Sequence, residues 1–111
     1  ADAVIVSNHG GRQLDGAMSS ISALPAIVDA IADRAEVWMD GGIRSGQDVL
    51  RAIAFGAKGT LIGRAFVYGL CANGQAGVHQ ALEIIHKELN LTLGLCGQSD
   101  LAKVDSSILL K

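Results

Sequence analysis

The chain has 111 residues, half of them hydrophobic, and a formal net charge of -2. That length suits one small domain or part of a larger one, with enough apolar surface for a core. Charge is dispersed without a cluster of Lys and Arg, which excludes a nucleic-acid surface, and no apolar run approaches the roughly 20 residues of a membrane span.

In chain order the sequence reads as strand, loop and helix, repeated. Ala3-Val4-Ile5-Val6 is the first predicted strand: short, β-branched and bounded by polar turn residues. The chain reaches it almost at once, without an initiator Met or a signal-peptide pattern. A strand buried on both faces needs neighbours on both sides, so a missing N-terminal part is expected. Gly16 to Ser22 is a loop in which Ser19, Ser20 or Ser22 could cap a helix. A cap at Ser22 would put Pro25 in the first turn, where its missing N–H is no loss. Leu24, Ile27, Val28 and Ile31 then line one helical face.

Val37-Trp38-Met39 is the second predicted strand, with Trp38 packing under the helices. Ser45 is the expected cap of the next helix, Val49, Leu50 and Ile53 its apolar face, and Gly56 its stop. Thr60-Leu61-Ile62 is the third strand. A longer helix is expected after Gly77, with Val78, Leu82, Ile85, Leu89 and Leu93 at helical spacing. The tail from Gly97 to Lys111 reads as one short helix or a wrap. Cys71 and Cys96 lie in apolar surroundings and read as packing residues, free thiols of a reducing compartment. His79 and His86 lie two turns apart on a polar face and, lacking a third ligand, read as solvated rather than metal-binding.

The alternation implies parallel strands joined by helical crossovers, in either an open doubly wound sheet or a closed barrel. No G-x-G-x-x-G follows the first strand. The polar residues favour the barrel: His9, Arg12, Asp40, Arg44 and Arg64 all fall just past strand ends. In a (β/α)₈ barrel that rim builds the active site, and the loops after the last two strands often hold a phosphate. The expected fold class is therefore α/β, the C-terminal part of a TIM barrel, about strands 6 to 8.

The residues at that rim carry chemistry. His9 can exchange a proton near neutral pH. Arg12 can hold a carboxylate or phosphate through two parallel hydrogen bonds, and Gly10 and Gly11 let the backbone turn and approach a ligand. The bland reading is a polar strand-to-helix turn. Asp40-Gly41-Gly42-Ile43-Arg44 places backbone amides near a helix start, a ready anion site. Gly63-Arg64 repeats the device on the next strand. Two such loops side by side suit one phosphate monoester, while Asp15 reads as a loop-shaping residue.

Ser7-Asn8-His9-Gly10-Gly11-Arg12-Gln13-Leu14-Asp15 resembles the signature of the FMN-dependent 2-hydroxy-acid dehydrogenases and oxidases. Asp40-Gly41-Gly42-Ile43-Arg44 and Gly63-Arg64-Ala65-Phe66 resemble the later motifs of that family, in order and spacing. Val67-Tyr68-Gly69-Leu70 and Gly74-Gln75-Ala76-Gly77-Val78 also fit. The resemblance covers essentially the whole chain and implies that residues 1–111 are the C-terminal part of a single dehydrogenase domain.

It further implies FMN as cofactor and oxidation of an (S)-2-hydroxy acid, L-lactate first, to the 2-oxo acid. His9 would be the base and Arg12 the grip on the substrate carboxylate. Asp40, Gly41, Gly42, Ile43, Arg44, Gly63 and Arg64 would bind FMN, chiefly at its phosphate. His9 taking the hydroxyl proton during hydride transfer and His9 taking the α-proton both stay open. The family's flavin-side lysine, substrate-side tyrosines and histidine-supporting aspartate would lie on earlier strands. The resemblance also implies an electron acceptor (quinone, cytochrome or oxygen), a homo-oligomer at full length and a cytoplasmic place, with a peripheral position on the inner membrane face as the alternative. The competing reading is a noncatalytic phosphate-binding half-barrel that assembles with another chain.

Overall fold

The computed structural model describes residues 1–110. Three strands, β1 (Ala3–Val6), β2 (Glu36–Met39) and β3 (Gly59–Thr60), form one parallel sheet in sequence order. Val4 pairs with Val37, Val6 with Met39, and Met39 with Thr60. Parallel neighbours need a crossover. α1 (Ser20–Ile31) supplies the first and α2 (Gly46–Ala54) the second. The third strand is shorter than the sequence suggests, although the Leu61 amide still donates to the Met39 carbonyl at 2.9 Å.

Strand pleating divides the sheet into two faces. Val6, Val37 and Met39 are buried against Leu24, Ile43, Ala52 and Ala57. Ile5 points the other way and is 54 % exposed. The helices thus cover one face only, and the expectation of a first strand buried on both faces does not hold within this chain.

Helix α1 starts at Ser19, whose side chain accepts from the Ser22 amide. Pro25 therefore sits inside the helix rather than in its first turn, and the Ile21 carbonyl loses its usual donor. At the other end, the Arg34 guanidinium donates to the carbonyls of Ile31 (3.0 Å) and Ala30 (2.6 Å). These are among the carbonyls a helix end leaves without a partner. Helix α2 starts at Ser45, as expected, and ends before Gly56.

α3 (Arg64–Leu95) begins well before the sequence suggests, since Arg64 and not a residue after Gly77 opens it. It breaks at Asn73 and Gly74, whose backbone leaves the helical region. The two limbs, 64–72 and 75–95, touch at Gly69 and Gly77. A Cβ on either glycine would overlap the carbonyl of the other. Gly46 makes a similar contact from α2 against the backbone of Ile85, Glu88 and Leu89. Its amide donates to Glu88 Oε2 at 3.0 Å.

The tail forms two short 3₁₀ turns, Leu101–Lys103 and Ser106–Ile108. The Ser107 side chain and amide hold the Asp105 carboxyl below the usual carboxylate range. The expected wrap up to Lys111 lies outside the described residues at its last position. Cys71, on α3, and Cys96, at its C-cap, are both exposed, so neither is a core residue. Trp38 is half-buried against Gly59, and its Nε1 donates to Glu36 at 2.9 Å.

Candidate active site at the C-terminal ends of the strands

The loops after β1, β2 and β3 converge on one cleft of about 470 Å³. All nine residues singled out from the sequence line it: His9, Arg12, Asp40, Gly41, Gly42, Ile43, Arg44, Gly63 and Arg64. Ile43 differs in kind, since its side chain belongs to the buried core. A larger cavity of about 840 Å³ opens at the other end of the strands, beside Asp2, Glu36, Lys58 and Asp100. It gathers neither a histidine nor a glycine-arginine loop, so the chemistry selects the smaller cleft.

The first loop is tightly wound. His9, Gly10 and Gly11 have φ of 57°, 65° and 72°. The left-handed region costs a residue with a Cβ about 1–2 kcal/mol, so His9 needs support. It comes from its neighbours. Ser7 Oγ accepts from the His9 amide at 3.1 Å, and Asn8 Oδ1 accepts from the Gly11 amide at 3.1 Å. Asn8 Nδ2 donates to the Met18 carbonyl at 3.1 Å. Asp15 Oδ1 accepts from the Gly16 amide, a local turn bond of the kind expected of it.

In the second loop, Gly41 and Gly42 have φ of 85° and 77°. Gly41 is also hemmed in: a Cβ there would stand 3.2 Å from Ser20 Oγ and 3.5 Å from Asn8 Oδ1. Gly42 and Gly63 have no such neighbour and leave the cleft open.

The anion-binding parts divide differently from the sequence expectation. The first amides of α2 are already taken. Those of Arg44 and Ser45 donate to Asp48 Oδ2, that of Asp48 to Ser45 Oγ, and that of Gly46 to Glu88. Internal acceptors thus occupy most of the amides at the start of α2. The start of α3 has no side-chain cap, because Gly63 carries none. It is the more open of the two positive helix ends.

Around this end stand three guanidiniums. Arg12, Arg44 and Arg64 are exposed, and none makes a salt bridge among the described residues. Arg64 Nη2 lies 3.6 Å from where a Gly10 Cβ would be, so Arg64 reaches across to the His9 loop. Asp40 Oδ1 is buried without a hydrogen-bond partner. Such an atom calls for a donor supplied by a ligand or water.

A family profile described as FMN-dependent dehydrogenase matches residues 1–111. The chain belongs to the FMN-dependent dehydrogenase family. It is 57% identical over 109 residues to an L-lactate dehydrogenase of Caulobacter vibrioides, covering 98% of this chain and 28% of that protein. It is 52% identical over 109 residues to an L-lactate oxidase of Nostoc sp., covering 98% and 30%. Among solved structures, mandelate oxidase with benzoyl-formic acid superposes with a TM-score of 0.88 at 50% identity, over 91% of this chain and 30% of that one. A mandelate oxidase variant with a monooxide FMN adduct superposes equally well, over 91% and 32%. The chain thus spans about three-tenths of the length of the relatives it matches. The α/β architecture expected of a TIM-barrel segment is the one these flavoenzymes share.

Two contributors to this family member's site carry no role in the sequence reading. Asn8 clamps the first loop and abuts the second. Ser20 is buried beside Gly41, its Oγ without a partner. Asn8 had a legible signal, since Asn is a favoured cap and turn residue before a glycine pair. Ser20 had none that set it apart from Ser19 and Ser22.

Proposed function

We propose that this chain supplies the base and the anion-binding groups for FMN-dependent oxidation of a small (S)-2-hydroxy acid, L-lactate first. The observation that carries the reading is the cleft itself: an imidazole and three guanidiniums without a salt bridge among the described residues share one space with glycine turns and a buried Asp40 oxygen that has no partner among them. A pure phosphate binder has no need of His9. Residues 1–111 are read as part of one such domain.

The residues fit the flavin nucleotide. Arg44 and Arg64, with the amides of Gly41, Gly42 and Gly63, would hold its phosphate, since glycines allow close approach and guanidiniums bind phosphate in a fork. Asp40 Oδ1 would accept from a hydroxyl of its chain. When bound, FMN takes the electrons of the substrate. Arg12 orients the substrate carboxylate, and His9 holds the proton that leaves the substrate.

The test uses the full-length protein with L-lactate, glycolate and mandelate and a dye acceptor. Proton transfer by a placed side chain contributes about 10²–10⁴-fold. His9→Asn, which tolerates left-handed backbone, should lower turnover by that range and keep FMN bound. Near-normal turnover in this variant would remove His9 from the role of base.

A further inference from the structure

We infer that Asn8 is a positioning residue for His9, holding the His9 turn in place relative to the Asp40–Gly42 loop. The inference rests on the reading of His9 as base. His9 itself is held in the left-handed region at φ 57° and is followed by two more residues of positive φ. A run of this kind persists only where the surroundings over-determine it. The Asn8 carboxamide does this with both ends. Its oxygen accepts from the Gly11 amide at 3.1 Å, closing the turn on the far side of His9. Its nitrogen donates to the Met18 carbonyl at 3.1 Å, tying the turn to the residue just before the α1 cap.

The same oxygen stands 3.5 Å from where a Gly41 Cβ would be, so the carboxamide fills the space between the two loops. Gly41 has φ 85°, and a Cβ there would also stand 3.2 Å from Ser20 Oγ, so the Asn8 and Ser20 side chains flank this glycine together. Asn8 thus sets where the His9 ring sits relative to the loop assigned to the flavin. No other side chain of the described residues bonds to both sides of the His9 turn. Asn8 donates nothing to the substrate in this account and acts only through His9.

A misplacement of about 1 Å in a reacting group can cost about 10²-fold in rate. In the full-length holoenzyme, Asn8→Ala should lower kcat by 10- to 100-fold, with bound FMN, read from flavin absorbance, unchanged. Asn8→Asp keeps the acceptor for Gly11 but sets an oxygen against the Met18 carbonyl, and should fall between wild type and Asn8→Ala. The decisive measurement is the double variant. If Asn8 acts through His9, Asn8→Ala adds less than about twofold to the loss already caused by His9→Asn. A multiplied loss, or loss of FMN from the Asn8 variant, overturns the inference and makes Asn8 a general structural residue. If Asn8→Ala does not fold, Asn8→Asp carries the same comparison, and unchanged kcat overturns the inference. Normal turnover of His9→Asn alone defeats the reading of His9 instead, so the two failures are separate.

Discussion

Gly77→Ala in the full-length protein tests whether α3 is built as a hairpin that places Arg64. A Cβ at position 77 would stand 2.7 Å from the Gly69 carbonyl carbon and overlap its oxygen, where ordinary contact begins at 3.4 Å. Both neighbours are backbone, so no side chain can swing aside. The nearer oxygen sets the displacement, so the limbs must part by more than about 1 Å. Overpacking of this kind costs about 1–3 kcal/mol. Alanine in place of glycine inside a helix returns about 1 kcal/mol. The net loss is up to about 2 kcal/mol, read as a lower midpoint in chemical denaturation. Arg64 heads the limb that must move. A displaced guanidinium–phosphate bond loses about 1.5–3 kcal/mol, so the dissociation constant for FMN should rise at least about tenfold. Gly94→Ala is the control: the same helix, but no atom within 4 Å of the added carbon. It should leave FMN binding unchanged and stability level or slightly higher. If Gly77→Ala behaves like Gly94→Ala, the two limbs do not cross at these glycines and the reasoning fails.

Arg64→Ala should weaken FMN retention much more than it alters the Michaelis constant for the hydroxy acid; a fully yellow variant with only that constant raised would move Arg64 to the substrate. Arg12→Lys keeps the charge but loses the planar fork, so kcat/KM should fall at least about tenfold, the equivalent of about 1.4 kcal/mol, while flavin content holds; an unchanged efficiency would detach Arg12 from the carboxylate.

Much of the fold and the rim was legible because local signals agreed there. The β-branched run at Ala3–Val6, the Ser45 cap with Asp48 three residues on, and Gly56 each mark a boundary by backbone chemistry alone. The placement of His9, Arg12 and the glycine loops past strand ends followed from the strands. The first limb of α3 was not legible, because Gly69, Gly74 and Gly77 interrupt it and glycine is a poor helix former. Only Gly74 breaks the helix; the other two are contact points that need the absent Cβ. Leu61 and Ile62 look like strand from their side chains, yet the ladder with β2 runs out after one more bond. The cysteines illustrate a different limit: apolar neighbours in sequence bury neither Cys71 on α3 nor Cys96 at its end.

The way α2 begins has a consequence for how an anion finds its place. Asp48, Glu88 and Ser45 occupy amides at that helix head before any ligand arrives. On the proposed reading, a dianion would meet two neighbouring helix heads of unequal attraction, one largely occupied from within and one uncapped beside Arg64. Selectivity between adjacent resting places would then need no clash and no extra arginine. It would come from acids the ligand does not touch, which withhold one position and so define the other.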